Sequence, residues 1–599
     1  MSSQPRTQEP PAGKENPSAQ ARALPPLGFV SWLIAIYWAL YFVVGLLDKP
    51  YFYGFVYGMA SALVFALCFL GWWWSRKGLS LGEKTLGFLL IFGGAVAAGK
   101  FAHSTMNILV LCSIGIPLVA TCAMAWIFLV KQAILPSSRV GLAAVAILAW
   151  APFLVLRNDG FDARLRSHVH WRWAPTSEEL FLAQKPAVAG AAGVAKPAAA
   201  VAAADPHEWT AFRGPDRDGV LHGTHITTDW KNSPPPQVWK HAVGPAWSSL
   251  IVVGDYLYTQ EQRGPKEAVV CYDSATGREL WSHEDTTRFD EAVSGPGPRA
   301  TPTFAAGHIL ALGGTGILNC LDAQTGKLQW TRDVKNDAQS KTPMWGFSSS
   351  PLVVDQNVIV YGGGEIGKSL LAYRLDSGAP VWTAALGEQS YSSPQLTTIA
   401  GTSQILMFDD VGVSAVDPAS GKILWQSGKP MKGSPRPGQP HLVGDAELAV
   451  AVLDGPGVSL VKISKEGGQW NVAPVWASKD LKPEFPDFVV RDGKAYGFDV
   501  SIFSCLDLAT GKRAWKEGRF GRGQVILLAD QGLLLVLSEG GEAILLAADP
   551  QGEKELGRFP ALNGKTWNHP VIANGRLYLR NAEEMACYAV EPAGQAAAH

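Results

Sequence analysis

The chain has 599 residues, with 51 Lys and Arg against 52 Asp and Glu, a net charge of −1 at neutral pH. That balance excludes the basic excess by which a nucleic-acid binder holds phosphates. With 47% hydrophobic and only 17% charged residues, bulk disorder is excluded as well. The averages combine two unlike parts: 28–156 is apolar with few charges, while 205–590 is rich in Gly, Pro, Asp and Trp with short apolar runs.

Residues 1–27 are polar and rich in Pro, Ala and Gln, and read as a disordered cytoplasmic tail. Apolar runs follow at about 28–47, 51–74, 85–99, 106–130 and 140–156, which predict five transmembrane helices over 28–156. The third and fifth are short and need tilt or snorkelled flanks. The first run is about 20 residues long, lacks a small-residue cleavage site and leads straight into further spans, so it does not read as a cleaved signal. Arg6, Lys14, Arg22, Arg76, Lys77, Lys84, Lys131 and Arg139 fall on one side, against Lys49 and Lys100 on the other. The positive side is cytoplasmic, which places the N-terminus inside and the large C-terminal part outside, in a bacterial inner membrane. Asp48, Lys49, Lys100 and His103 sit at span ends, not mid-membrane, so an anchor is expected and not a proton relay. Trp72, Trp73 and Trp74 read as an interfacial belt.

Residues 157–204 form a connector. Thr176 and Glu179 make a capping-box pattern that predicts a helix from Ser177 to about Gln184, behind an aromatic and Arg cluster at Trp171–Trp173 expected on the membrane surface. Residues 185–204 are almost entirely Ala, Val, Gly, Lys and Pro and read as a flexible linker.

From 205 to 590 one pattern recurs, Asp-x-x-x-Gly-x-x-x-Trp. Its copies are Asp273, Gly277 and Trp281; Asp322, Gly326 and Trp330; Asp417, Gly421 and Trp425; and Asp507, Gly511 and Trp515. A fifth has Arg374 in the Asp place, with Gly378 and Trp382. The Asp accepts from turn amides and the Gly supplies a positive φ, so each copy is a hairpin turn that leads into a strand beginning near the Trp. Counting Trp239 and Trp476 as well, the Trp recur at intervals of 39–52 residues. Such a period, with about four strands per unit, predicts propeller blades. A second marker opens each unit: Ala246-Trp-Ser-Ser, Arg299-Ala-Thr-Pro, Ser348-Ser-Ser-Pro, Tyr391-Ser-Ser-Pro, Gly438-Gln-Pro, Asp487-Phe-Val, Gly523-Gln-Val and Trp567-Asn-His-Pro. Eight markers make eight blades. The last unit supplies only three strands, so Val238–His241 should complete it and close the ring with both termini, leaving 591–599 as a tail.

These repeats resemble the propellers of the pyrroloquinoline quinone (PQQ) superfamily over about 205–590, and Trp209-Thr-Ala-Phe-Arg-Gly-Pro-Asp-Arg-Asp-Gly219 resembles the lead-in before such propellers. Five helices ahead of an eight-bladed propeller resemble the layout of membrane-bound PQQ glucose dehydrogenases. The short loops are closer to the non-enzymatic propeller of the outer-membrane assembly lipoproteins, whose lipidated Cys this chain lacks. The dehydrogenase resemblance implies PQQ over a Trp, Ca²⁺ held by Glu, Asn and Asp, and an Asp base. The adjacent cysteine pair of many such enzymes is absent here, as it is from the glucose dehydrogenases.

Cys271, Cys320, Cys505 and Cys587 fall at one repeat position in four blades, too far apart for disulfides, and are expected as core thiols. His168/His170 and His222/His225 are the only close His pairs and no metal site is assigned to them. In a propeller, the start of each innermost strand and the loop between the second and third strands open on the same face. The first kind of position gives Arg299, Trp345, Tyr391, Asp487, Arg522, Gln524, Trp567, Asn568 and His569; the second gives Glu261, Arg263, Glu365, Asp409, Asp499, Glu539 and Arg580. This ring of carboxylates, Arg and aromatics suits a small polar ligand or a peptide; the alternative is a set of solvated loops and inter-blade salt bridges. The expected function is a membrane-anchored extracytoplasmic binding or scaffold module with a ligand or periplasmic protein as partner. The alternative is a dehydrogenase that uses PQQ and Ca²⁺ to oxidise a sugar or alcohol and reduce membrane quinone.

Overall fold

A computed structural model describes residues 28–46, 51–77, 79–106, 108–131, 139–162, 164, 166–184, 208–364, 367–428, 430, 437–451, 457–485 and 487–590. The expected tails, the Ala-rich linker, Asp48, Lys49 and Glu365 lie outside the described residues. The chain divides into two compact units, one built on the helices and the other on everything from Ala174 onward together with Asp159–His168.

The first unit holds apolar helices at Gly28–Leu46, Tyr51–Trp74, Leu81–Phe101, Ile108–Lys131 and Arg139–Val155. Three stretches, Gly54–Trp74, Leu81–Phe101 and Leu111–Val130, are long and apolar enough to cross a membrane; Gly28–Val43 and Val140–Val155 are shorter. The five expected spans are thus found as five apolar helices, three of which hold a described stretch long and apolar enough to cross a membrane. The third helix is longer than its apolar run, since Ser80 and Glu83 cap it reciprocally at its start. Two helices contain π-turns, Leu89–Gly93 and Leu111–Gly115. A π-turn breaks the regular ladder, and an aromatic donor meets a carbonyl in each: Trp150 Nε1 donates to Leu90 O (2.9 Å) and the Tyr37 hydroxyl to Ser113 O. Of the expected belt, Trp72 and Trp73 are instead buried and only Trp74 is exposed. Gly87, lacking a side chain, leaves room for the Trp73 ring.

In the second unit, Thr176 and Glu179 form the expected capping box and start the helix Ser177–Gln184. The remainder is an eight-bladed β-propeller. Each blade is a four-stranded antiparallel meander, and blade seven carries one added strand. The innermost strands are Ile251–Val253, Thr303–Ala305, Leu352–Val354, Gln395–Ile399, Pro440–Val443, Val489–Arg491, Gly523–Leu528 and Val571–Ala573. Gln237–Ala242 pairs with Glu584–Ala589 as the outer strand of blade eight, with Trp239 opposite Cys587. The ring is closed by strands from both ends of the propeller, as the sequence predicts.

The repeat works as a connector between neighbours. Asp322 Oδ1 accepts from the amide (2.8 Å) and hydroxyl (2.6 Å) of Thr325, and Gly326 turns the chain at φ 68°. The Trp of the preceding blade then lies on that Gly: a Cβ on Gly326 would come 2.5 Å from Trp281, and one on Gly378 2.7 Å from Trp330. Each indole N–H donates to the turn it covers, Trp239 to Ser274 O, Trp281 to Ala323 O, Trp330 to Leu375 O, Trp382 to Pro418 O, Trp476 to Leu508 O and Trp515 to Asp549 O. Trp425 differs. The next blade has a Gly467-Gly468 hairpin in place of the Asp turn, and its indole bonds Gln404 (2.7 Å) instead. Trp239, Trp330, Trp425 and Trp515 are buried, while Trp281, Trp382 and Trp476 are half-buried. Cys271, Cys320, Cys505 and Cys587 are buried, free, and face Trp281, Trp330, Trp515 and Trp239 across the strands.

Candidate functional site

Where the inner strands begin, the second sequence marker forms a belt of hydrogen bonds around the axis. The amide of Ser249 donates to Thr301 Oγ1 (3.0 Å), that of Thr301 to Ser350 Oγ (2.9 Å), and that of Ser350 to Ser393 Oγ (2.9 Å). Gln439, with its side-chain amide oriented to suit, accepts at its oxygen from the Ser393 backbone N–H (3.0 Å), and the Gln439 backbone N–H donates to Asp487 Oδ2 (3.0 Å). Gln524 Nε2 reaches Trp567 O (2.9 Å), and Asn568 Nδ2 reaches Ser248 O (2.8 Å). Asp487, Gln524 and Asn568 thus bond blade to blade, as the Ser and Thr residues of blades one to four do.

The remaining candidates are also engaged. Glu261 is fully buried, bonded by Arg263 and the Tyr272 hydroxyl, and Arg263 continues to Glu279 (3.0 Å). Arg263 and Arg580 hold the Glu261 carboxyl below its usual range against the effect of burial. Arg580, also fully buried, crosses from blade eight to Thr259 Oγ1 (2.6 Å), Gln260 O and Gly244 O of blade one. Asp499 takes Lys482, Arg513 and Lys516. Asp409 accepts from the amides of Gly387 and Val411, and Arg522 pairs with Glu484 at 2.6 Å. Arg299 was expected as a free mouth donor, but its side chain is only 7% exposed. It holds the 289–297 loop through Glu291, Ser294, Gly295 and Gly297 and lies over Phe289. The loop folds back over its own Arg, which makes Arg299 a support of the structure. Asp487 lies on Arg213 instead, and His569 meets the neighbouring Phe212 ring.

On the same face, aromatics gather around a lysine that the sequence reading passed over. Lys565 lies 4.5 Å from the Trp567 ring and 5.1 Å from Trp247, and donates to Phe161 O (3.1 Å) and Val293 O (3.4 Å). Burial pushes its ammonium down to about 8. Trp567 Nε1 donates to Glu539 (2.8 Å). Glu178 takes Arg288 in a two-point ion pair and accepts from the Gly264 amide. Further round the face, Trp345 packs on Tyr391 at 5.0 Å beside Met344, which is 72% exposed.

The least expected feature is the lead-in. Trp209 exchanges two backbone hydrogen bonds with Val252 of blade one, and Thr210 O accepts from Phe304 of blade two. Arg217 donates to Pro351 O (2.7 Å) and Ser350 O (2.8 Å) of blade three, and Asp216 O accepts from Gln395 of blade four. Arg213 donates to Phe488 O (2.9 Å) and lies 3.6 Å from Asp487 in blade six. Val220–Leu221 adds in parallel to the inner strand of blade seven, and the Phe212 ring meets His569 of blade eight at 5.1 Å. One segment therefore bonds or packs against the inner edges of seven blades, and fills the axis as a plug. Tight turning permits this: Arg213 (φ 62°), Gly214 (φ 93°), Arg217 (φ 61°) and Gly219 (φ 79°) are left-handed, and a Cβ on Gly219 would lie 2.7 Å from Arg213. The two Arg side chains are buried.

His441 bonds Asp487 (2.9 Å), which with Arg213 holds that carboxyl far below its usual range. Burial, with the Arg213 charge adding to it, pushes the His569 imidazole down to about 3. Among the described residues no cluster of three or more His, Cys, Asp or Glu is arranged to hold a metal ion.

Fold and axis together define an eight-bladed PQQ-like repeat propeller, closed by both ends and joined to apolar helices. The family model described as outer membrane protein assembly factor BamB matches residues 265–517. BamB of Yersinia pestis is 22% identical over 365 residues, covering 58% of this chain and 77% of the relative. BamB of Burkholderia pseudomallei (strain K96243) is 24% identical over 361 residues, covering 55% and 84%. Among solved structures, BamB from Moraxella catarrhalis has a TM-score of 0.44 at 17% identity, covering 59% of this chain and 99% of that one. Quinohemoprotein alcohol dehydrogenase from Comamonas testosteroni has a TM-score of 0.45 at 11% identity, covering 64% and 80%.

Proposed function

We propose that this chain is a membrane-anchored propeller that works outside the cytoplasm as a protein-binding scaffold. The observation that carries the reading is the plug: the axis is taken by the chain's own Phe212, Arg213 and Arg217. What stays open is the loop face, where Met344, Trp345 and Tyr391 offer an apolar and aromatic surface of the kind protein partners use. The match to a family named for outer membrane protein assembly supports a partner of the same compartment. The Lys/Arg asymmetry of the short loops supports an inner-membrane anchor with a cytoplasmic N-terminus and a periplasmic propeller.

A PQQ and Ca²⁺ centre is a poor fit to the residues present. Asp487 is committed to Arg213, His441 and two amides, Asn568 to the carbonyls of Ser248 and Ala246, and Glu261 to Arg263 and Tyr272. A cation cage would have to dismantle the blade-to-blade contacts.

The test is a photocrosslinking side chain at position 344 of the full chain in intact cells, with a dual reporter after His599. The reading expects a non-cytoplasmic reporter signal and a discrete protein adduct from 344 but not from an outer-strand position such as Val381. A cytoplasmic signal, or no adduct specific to 344, would contradict it.

A further inference from the structure

The consecutive helices Tyr51–Trp74 and Leu81–Phe101 fit closely on one side only. There Trp73 lies against Gly87, where a Cβ would strike the ring, and its indole N–H donates to Lys84 O (3.0 Å). On the other side they leave a groove of about 290 Å³ lined by Leu70, Gly71, Trp74 and Phe88. The Trp74 and Phe88 rings stand 6.5 Å apart and stay 51% and 39% exposed. A Cβ on Gly71 would meet nothing within 4 Å, so the floor of the groove is unfilled.

One end of the groove is basic. Lys84 lies one helical turn before Phe88 on the same face, and its ammonium donates to Trp74 O (2.8 Å), which fixes it at the groove's end. That bond uses one of three N–H donors and leaves two. Arg76 and Lys77 follow Trp74 in the chain; Arg76 Nε donates to Trp72 O (3.2 Å), and its guanidinium lies 5.1 Å from the Trp72 ring. Among the described residues none of these three cations pairs with a carboxylate. The one carboxylate in this stretch, Glu83, accepts from the amide (2.8 Å) and hydroxyl (2.9 Å) of Ser80. Three positive charges thus stand at this end against one negative.

We propose that the groove and the cations at its end bind one anionic glycerophospholipid, with an acyl chain along Gly71 between Trp74 and Phe88 and the phosphate on Lys84. Arg76 and Lys77 add to the attraction. The inference rests on the reading of these helices as membrane spans. A chain seated in the groove makes the van der Waals contacts that the two helices do not make with each other. Each basic residue at the membrane surface adds about fivefold in affinity for an anionic headgroup, and a zwitterionic headgroup has no net charge to match the excess.

The test begins with fractionation. The full chain should sediment with membranes and need detergent for release; a chain released without detergent would contradict the spans and the site with them. Purified full chain in detergent is then titrated with phosphatidylglycerol, or with phosphatidylethanolamine of the same acyl chains, and bound lipid is counted by native mass spectrometry. One phosphatidylglycerol per chain should bind, at least about fivefold more tightly than phosphatidylethanolamine. Lys84→Gln should weaken phosphatidylglycerol about fivefold and leave phosphatidylethanolamine unchanged. Gly71→Leu, made where a Cβ has room, should fold and weaken both lipids by filling the groove. Glycerol 3-phosphate, a headgroup without chains, should not compete; competition would assign a free phosphate ligand and overturn the lipid. Equal binding of the two lipids by a chain that does need detergent would overturn the proposal and leave the spans standing, as would unchanged phosphatidylglycerol binding in either variant.

Discussion

The indole of Trp330 rests on Gly378 of the next blade, where a Cβ would come within 2.7 Å of the ring, and its N–H donates to Leu375 O at 2.8 Å. One residue pair thereby joins two blades. The glycine serves twice: it takes φ 67° and leaves room for the ring.

Gly378→Ala should lower stability by more than the ~1–2 kcal/mol of a left-handed L-residue, because the methyl also strikes the indole. Trp330→Ala should cost ~3–5 kcal/mol. In denaturant melts the double variant should lose less than the sum, since one change removes the clash created by the other. Strict additivity would mean that ring and glycine do not touch.

At Arg374 the repeat lacks its Asp, although Ser377 and Gly378 keep the rest of the turn. At Asp273, Asp322 and Asp417 the Asp accepts from the amide and hydroxyl three residues on, as Asp417 does from Ser420 (2.8 and 2.7 Å), while Asp507 accepts from the amides of Ala509 and Thr510. Arg374→Asp should therefore raise the melting temperature, by ~0.5–1.5 kcal/mol of added stability for each net bond. A lower melting temperature would show that the Arg374–Asp376 pair matters more than the turn.

His569 should make the fold acid-sensitive. An unfolded histidine titrates near 6.5, whereas this one is pushed down to about 3. Between those values the unfolded chain binds a proton that the folded chain refuses, so stability is complete above about 6.5 and falls as the pH drops toward 3. The loss from this group should be ~2 kcal/mol by pH 5. Unfolding free energies at pH 7 and pH 5 should fall less in His569→Gln than in the natural chain. Equal falls would contradict the assignment.

The blades were legible because their connector is local: Asp, Gly and Trp lie within nine residues, and repetition exposes them. Ring closure was legible because Val238–His241 had no other strand to pair with. The candidate site was less so. Asp487, Gln524 and Asn568 stand out in sequence as polar residues of the second marker, yet they carry out the same blade-to-blade bonding as the Ser and Thr of other blades with longer side chains. Arg299 looked free because its loop partners, Glu291 to Gly297, form no motif. The plug could not be read at all, since Arg217 meets Pro351 across 134 positions and Arg213 meets Phe488 across 275. Only the density of Arg and Gly in 213–219 hinted that the segment turns tightly.

The central claim is that the chain fills its own axis and serves as a scaffold, not as a quinoprotein. The direct measurement is to incubate the purified full chain with PQQ and Ca²⁺, remove free cofactor, and record the absorbance of retained quinone together with dye-linked oxidation of sugars and alcohols. The account predicts no retained quinone and no dye reduction. Quinone retained at one per chain, with substrate-dependent dye reduction, would contradict it.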